Sequence, residues 1–167
     1  MNITAGTLKG RKINTPDTDL VRPTLSKVRM AVFNVLQSYT DFKNASFLDM
    51  FGGSGIMGLE ALSRGFKEVT VLEKDKKIFQ IIKNNYKTLQ QEAELLNIDS
   101  LNFKTDKIYD VIYIDPPYYA GIYDQILKTL PDFKITVIEH PKDIEITGFN
   151  LLKQKNYGDK LLTFLTK

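Results

Sequence analysis

Cysteine is absent from the chain and histidine occurs once, as His140. The first absence excludes disulfides and thiolate metal sites, and the second leaves no set of imidazoles to hold a metal. Nor does any apolar run approach the roughly 18 residues of a bilayer span, so no membrane partner is expected. The start, Met1-Asn2-Ile3-Thr4-Ala5-Gly6, lacks the basic and apolar stretches of a signal peptide, and the cytoplasm is the expected location. Charge of one sign is also scarce. A formal net charge of +3 does not by itself point to nucleic acid. What remains is 167 residues with 43% hydrophobic and 26% charged side chains, the composition of one globular domain.

Distribution says more than the total. Before Asn44 the basic residues are Lys9, Arg11, Lys12, Arg22, Lys27, Arg29 and Lys43, against Asp17, Asp19 and Asp41. This segment exceeds the excess of the whole chain, which suits attraction to phosphates as well as plain solubility. Residues Ile3 to Ile13 read as a hairpin-like extension with turns at Gly6 and Gly10, and Pro16 to Pro23 as a loop. Thr24 is placed to cap a helix through Leu36.

After Asn44, strands and helices alternate. Strand signals lie at Ser46–Phe51, Val69–Leu72, Ala93–Ile98, Asp110–Ile114 and Ile135–Glu139, with helical patterns near Ile56–Ser63, Asp75–Leu89 and Tyr123–Leu130. Leu151–Lys155 and Leu161–Leu165 form a final antiparallel hairpin around Asn156-Tyr157-Gly158-Asp159. Alternation of this kind predicts an α/β fold whose mostly parallel sheet is covered by helices on both faces. The chain is read as a single domain, 1–44 forming the extension and 45–167 the cofactor-binding core.

In such a sheet, ligands sit beyond the carboxyl ends of the strands. Phe51-Gly52-Gly53-Ser54-Gly55 follows the first strand, where glycines let the main chain approach a ligand closely. Gly53, Gly55 and Gly58 match the dinucleotide fingerprint, and Glu73 ends the second strand, placed to accept from two ribose hydroxyls. That match alone leaves a dinucleotide-dependent dehydrogenase open. Asp49 tilts the balance, because an aspartate is poorly matched to pyrophosphate but suits the cationic methionine end of S-adenosyl-L-methionine. Asp99, ending the third strand, can accept from an adenine amino group, with the Ser100 backbone beside it; it can equally cap a helix.

Asp115-Pro116-Pro117-Tyr118 ends the fourth strand candidate. An exocyclic amine on a base is a poor nucleophile because its lone pair is delocalised into the ring. Two acceptors aimed at its N–H bonds orient it, and the Asp115 carboxylate and Pro116 carbonyl can serve. Tyr118 offers a face for an extruded base, worth roughly 1–3 kcal/mol. Of the adjacent Tyr118 and Tyr119, one is expected to face the base. Tyr113 and Tyr123 are read as packing residues, and His140 as a polar anchor at a strand end.

Several stretches together carry a family resemblance. They are Gly10-Arg11-Lys12, Arg22-Pro23-Thr24 with Val28-Arg29, and Phe33-Asn34. Leu48-Asp49-Met50-Phe51-Gly52-Gly53-Ser54-Gly55, Gly58 to Gly65, Glu73, Asn84-Asn85, Asp115-Pro116-Pro117-Tyr118 and Tyr157-Gly158 extend it nearly end to end. In these the chain resembles the small bacterial 16S ribosomal RNA guanine-N2 methyltransferases, the RsmD group. The resemblance implies a Rossmann-like class I methyltransferase fold with a seven-stranded sheet, S-adenosyl-L-methionine as cofactor and a guanine of 16S ribosomal RNA as substrate. The partner it implies is the assembling or assembled small subunit, with Arg11, Lys12, Arg22, Thr24 and Arg29 holding RNA or closing over the site. Met30 stands where the family usually carries Glu, and the stretch from Ser100 to Tyr109 is short by comparison. Methylation of DNA adenine or of a protein glutamine, and a catalytically silent RNA-binding factor, are the alternatives.

Overall fold

The apolar runs become the inner strands of a sheet in the computed structural model, which describes residues 1–17, 24–119 and 121–167. In chain order the elements are α1 (Ser26–Leu36), β1 (Ser46–Asp49), α2 (Ile56–Ser63), β2 (Glu68–Leu72) and α3 (Lys76–Thr88). There follow β3 (Glu94–Leu96), β4 (Tyr109–Ile114), α4 (Ile122–Thr129), β5 (Phe133–Pro141), β6 (Asn150–Tyr157) and β7 (Lys160–Thr166). The seven-stranded sheet has the order β3-β2-β1-β4-β5-β7-β6. Strands β1 to β5 pair in parallel, and β7 enters antiparallel between β5 and β6. This is the Rossmann-like class I methyltransferase architecture that the alternating pattern and the resemblance led us to expect.

Period-two alternation sends neighbouring strand residues to opposite faces. Phe47, Val71, Val111, Tyr113 and Val137 join a core shared with α1, α2, α3 and the extension. Leu48, Leu72, Ile112, Ile114 and Ile138 join a second core beneath α4. Helix α3 begins where Asp75 Oδ1 accepts from the backbone N–H groups of Lys77 and Ile78, at 2.8 and 2.9 Å. Strand β1 is shorter than the apolar run, because Met50 and Phe51 have already left the ladder for the loop.

The amino-terminal start of α1 departs from expectation. Leu25, not Thr24, is its N-cap residue, and no side chain caps it. Instead the Thr24 carbonyl accepts from the guanidinium of Arg29. That arginine, expected to touch RNA, is only 1% exposed. It donates to Glu60 Oε1 at 3.0 Å and to the Asn2 carbonyl at 2.8 Å. A guanidinium this buried, with Nε, Nη1 and Nη2 each donating within the protein, presents no surface to a phosphate, so Arg29 ties the extension to the core instead. Glu60, fully buried, also receives Arg64 and the Thr4 N–H at 2.8 Å. Removing one partner from a buried ionic cluster strands the others without solvent. Glu60→Ala is therefore expected to lower unfolding free energy by about 3–5 kcal/mol, read from chemical denaturation with an unchanged slope.

The extension, a hairpin-like turn, closes with an Asn2–Lys12 bridge and lies on α2, where Thr7 N–H and Leu8 N–H reach Ser63 at 2.8 and 2.9 Å. Gly6 needs its missing side chain there, since a Cβ would sit 1.8 Å from the Ser63 carbonyl oxygen.

Candidate active site

Parallel pairing brings the ends of β1, β2 and β4 side by side. Asp49, the last residue of β1, registers with Tyr113 of β4 and Val71 of β2. The loop continues the contact, with Met50 N–H donating to Tyr113 O at 3.1 Å and Gly52 N–H to Leu72 O at 2.8 Å. A cavity of about 550 Å³ opens over these ends. Asp49, Phe51, Gly52, Gly53, Ser54, Glu73, Asp99 and Ser100 line it together with Asp115, Pro116, Pro117 and Tyr118. Thus the expected catalytic residues and all the expected cofactor residues except Gly55 are brought into one space; Gly55 packs instead toward Tyr86 and Ile82, which a Cβ would approach to 3.0 and 3.1 Å.

Asp49 is its most unusual member. The residue is 1% exposed; Oδ1 accepts from Phe51 N–H at 3.3 Å, while Oδ2 is buried with no hydrogen-bond partner among the described residues. Burial pushes its pKa up to about 7, opposed by the Phe51 N–H and reinforced by the charges of Asp115 and Glu73. An orphaned buried acceptor facing a cavity suits a cationic donor. Glu73 is half-buried, and burial raises its pKa against N–H groups that favour the ionised form. Its Oε2 accepts from Gly53 N–H at 3.0 Å and Oε1 from Asp75 N–H at 2.9 Å, leaving further lone pairs for hydroxyl donors.

The glycine loop serves packing as much as ligand approach. A Cβ on Gly52 would stand 2.7 Å from Val71 and 2.9 Å from Ile82, and one on Gly58 2.2 Å from the Tyr86 hydroxyl. Gly58, part of the fingerprint match, is thus fixed by the helix packed on it. Asn85 accounts for another part of the pattern. Its buried amide donates to Ser54 O at 3.0 Å and Asn14 O at 2.8 Å, pinning the extension to the cofactor loop.

Other expected contacts divide. Asp99 Oδ1 accepts from Leu101 N–H at 3.0 Å as the cap of a short turn, and Oδ2 lies 4.0 Å from Lys74 Nζ. The Ser100 hydroxyl is turned inward and donates to Met50 O. Tyr118 is 39% exposed and Tyr119 46%, and both reach the cavity. Arg11 and Lys12 are exposed on the extension, Thr24 borders the cavity, and Arg22 lies outside the described residues.

Three residues of this neighbourhood are given no site role by the sequence, Tyr113 being read there as packing. Lys160 lies 3.6 Å from Asp115 Oδ1 and 3.4 Å from Glu139 Oε2, and the Tyr113 hydroxyl donates to Glu139 Oε1. Tyr113 is therefore more than packing. Tyr123 also donates, to the Glu139 carbonyl at 3.0 Å. His140 contacts Thr163 Oγ1 at 2.8 Å and the Pro141 carbonyl at 2.9 Å, anchoring β5 to β7, and burial lowers its pKa.

Residues 1–166 match a family profile described as conserved hypothetical protein 95. A Buchnera aphidicola protein named ribosomal RNA small subunit methyltransferase D is 38% identical over 157 residues, spanning 92% of this chain and 77% of that protein. A Haemophilus influenzae protein of the same name is 34% identical over 174 residues, spanning 95% of this chain and 89% of its own. Among solved structures, yhhF of Escherichia coli superposes with a TM-score of 0.88 at 26% identity, over 100% of this chain and 97% of that one. A Thermus thermophilus 16S rRNA N2 G1207 methyltransferase, solved with AdoMet and guanosine, shares the fold at TM-score 0.65 and 15% identity, covering 86% and 44% of the two chains.

Proposed function

Because this chain belongs to the family described as conserved hypothetical protein 95, and is a ribosomal RNA methyltransferase, we propose guanine N2 as its target atom. The methyl group comes from S-adenosyl-L-methionine and passes to a guanine of 16S ribosomal RNA, in the assembling or assembled small subunit, in the cytoplasm. The observation that carries this reading is the single cavity joining the orphaned Asp49 carboxylate to the Asp115–Tyr118 turn.

When bound, S-adenosyl-L-methionine supplies an electrophilic methyl group on a sulfonium. Asp49 is the residue to hold its ammonium, and Glu73 its ribose hydroxyls; Asp99 and the Ser100 backbone flank the adenine side. Phe51 to Ser54 form the floor, and Gly55, in the left-handed region, turns the chain into α2. At the other end of the cavity, the Asp115 carboxylate and Pro116 carbonyl accept from the two N–H bonds of the amine and draw its lone pair out of conjugation. Pro116 and Pro117 stiffen the turn that aims them, and Tyr118 stacks on the extruded base. No strong base is required before attack, since the nitrogen becomes acidic only once alkylated; its proton then leaves to Asp115 or water. Arg11, Lys12 and Arg22 supply cationic contacts to RNA phosphates, and Thr24 borders the entry.

Tritium transfer from labelled S-adenosyl-L-methionine to small ribosomal subunits, DNA and a peptide release factor tests the substrate class. Label is expected in the subunit RNA. Label confined to DNA or to the release factor contradicts the reading.

A further inference from the structure

One polar cluster beside the catalytic turn has no part in the chemistry as derived above. Strand β7 starts after the Tyr157-Gly158-Asp159 turn and runs antiparallel to β5, which places Lys160 next to the end of β4. Its ammonium lies 3.6 Å from Asp115 Oδ1, 3.4 Å from Glu139 Oε2 and 4.9 Å from the centroid of the Tyr118 ring. Glu139 is 4% exposed, and its other oxygen accepts from Tyr113. The Lys160 and Asp115 side chains are 23% and 18% exposed, so water screens their attraction only in part. A smaller recess of about 300 Å³ adjoins the main cavity, and Lys160 and Asp115 line both.

The charges around Asp115 make a cation there consequential. Among the described residues, Asp49 from β1 and Glu139 from β5 are its acidic neighbours, and the phenols of Tyr113, Tyr118 and Tyr123 stand beside them. Clustered carboxylates favour proton uptake by one of their number. A protonated Asp115 would present a donor to the amine in place of an acceptor. Lys160 opposes that outcome from β7.

We propose that Lys160 is a positioning residue for methyl transfer, holding the Asp115 carboxylate ionised and fixed beside the Tyr118 ring. The inference rests on the reading of Asp115 as the acceptor for an exocyclic amine. Burial works to lower the pKa of Lys160, but Asp115, Tyr118 and Glu139 outweigh it and leave the group raised. It therefore stays charged through the working range and acts through the field and the contact it provides, not by moving a proton. Its ring contact with Tyr118 adds a second constraint, because a cation on one face fixes the plane that a base would meet.

Lys160→Met and Lys160→Arg separate this role from a structural one. In Lys160→Met, kcat is expected to fall about 10- to 100-fold, with S-adenosylhomocysteine affinity and the RNA KM unchanged. The acidic limb of its kcat profile should move to higher pH by about one unit, and Lys160→Arg should restore both. A second readout needs no RNA. In protein carrying carboxyl-labelled aspartate, the Asp115 resonance, assigned through Asp115→Asn, should titrate at higher pH in Lys160→Met than in the native chain. An unmoved titration overturns the inference whatever the acceptor, as does a moved titration with native kcat. If the native protein methylates no guanine in small subunits, the guanine N2 reading fails, and the carboxyl titration still decides the role of Lys160.

Discussion

Asp115→Ala is expected to reduce methyl transfer by about 100- to 1,000-fold, the loss typical of removing one preorganised polar contact at a reacting centre. The side chain sits on the rigid turn after β4, with Pro116 buried behind it. Without it, the amine keeps only the Pro116 carbonyl as acceptor and is no longer held with its lone pair toward the donor. S-adenosylhomocysteine affinity at pH 8 and RNA affinity are expected to stay near native values, because the residues proposed to hold the cofactor lie at the ends of β1 and β2. Asp115→Asn retains one oxygen but substitutes an amide N–H for the other, and an intermediate rate follows. Single-turnover assays on small ribosomal subunits check the rate, and calorimetry the binding. Native activity in Asp115→Ala would remove the catalytic role from this turn.

Asp49→Asn is expected to have the opposite signature. Cofactor affinity should fall by about 30- to 5,000-fold, the equivalent of about 2–5 kcal/mol for truncating one side of a buried charge pair. With its pKa pushed up to about 7, native Asp49 must lose a proton before it can pair with an ammonium. Affinity should therefore rise with pH through about 7 and level off above it, and Asp49→Asn should abolish that limb. Stability of the ligand-free protein follows the reverse sign. The folded pKa lies above the ordinary value of 3.8, so the folded state binds the extra proton between the two values. This contribution to stability is present at low pH and lost as pH rises through about 7. Asp49→Asn should accordingly make the ligand-free protein more stable at pH 8 while crippling cofactor binding. A cofactor affinity that is flat from pH 6 to pH 8 would show that Asp49 does not hold the ammonium.

Much of this arrangement was legible because it depends on local pattern. The apolar run that contains Asp49 and those that stop before Glu73 and Asp115 mark strands, and parallel pairing places their ends along one edge of the sheet. The glycine loop announces a tight turn, although Gly58 serves the packing of Tyr86 and Gly52 that of Val71 and Ile82. Arg29 was misread because a basic residue in a basic segment looks solvated. Its position relative to Val32 and Phe33, one helical turn on, puts it on the apolar face of α1, where the buried acid Glu60 and main-chain carbonyls satisfy it. The Lys160–Glu139–Tyr113 cluster had no local signature. It forms only because β7 inserts antiparallel beside β5, a pairing that no single stretch of sequence specifies. Glu139, directly following Ile135 to Ile138 in an inner strand, was the one hint, since a carboxylate so placed needs a partner.

At the centre stands a spatial claim, that the ends of β1 and β4 present a methyl donor and the N2 amine of guanine to each other across one cavity. Incubating small ribosomal subunits with S-adenosyl-L-methionine bearing a trideuterated methyl group, then digesting the 16S RNA to nucleosides for mass spectrometry, addresses it most directly. The expected product is guanosine carrying the heavy methyl on N2. Heavy methyl on a ring carbon, on adenosine or on a ribose hydroxyl, with N2 unlabelled, would contradict it.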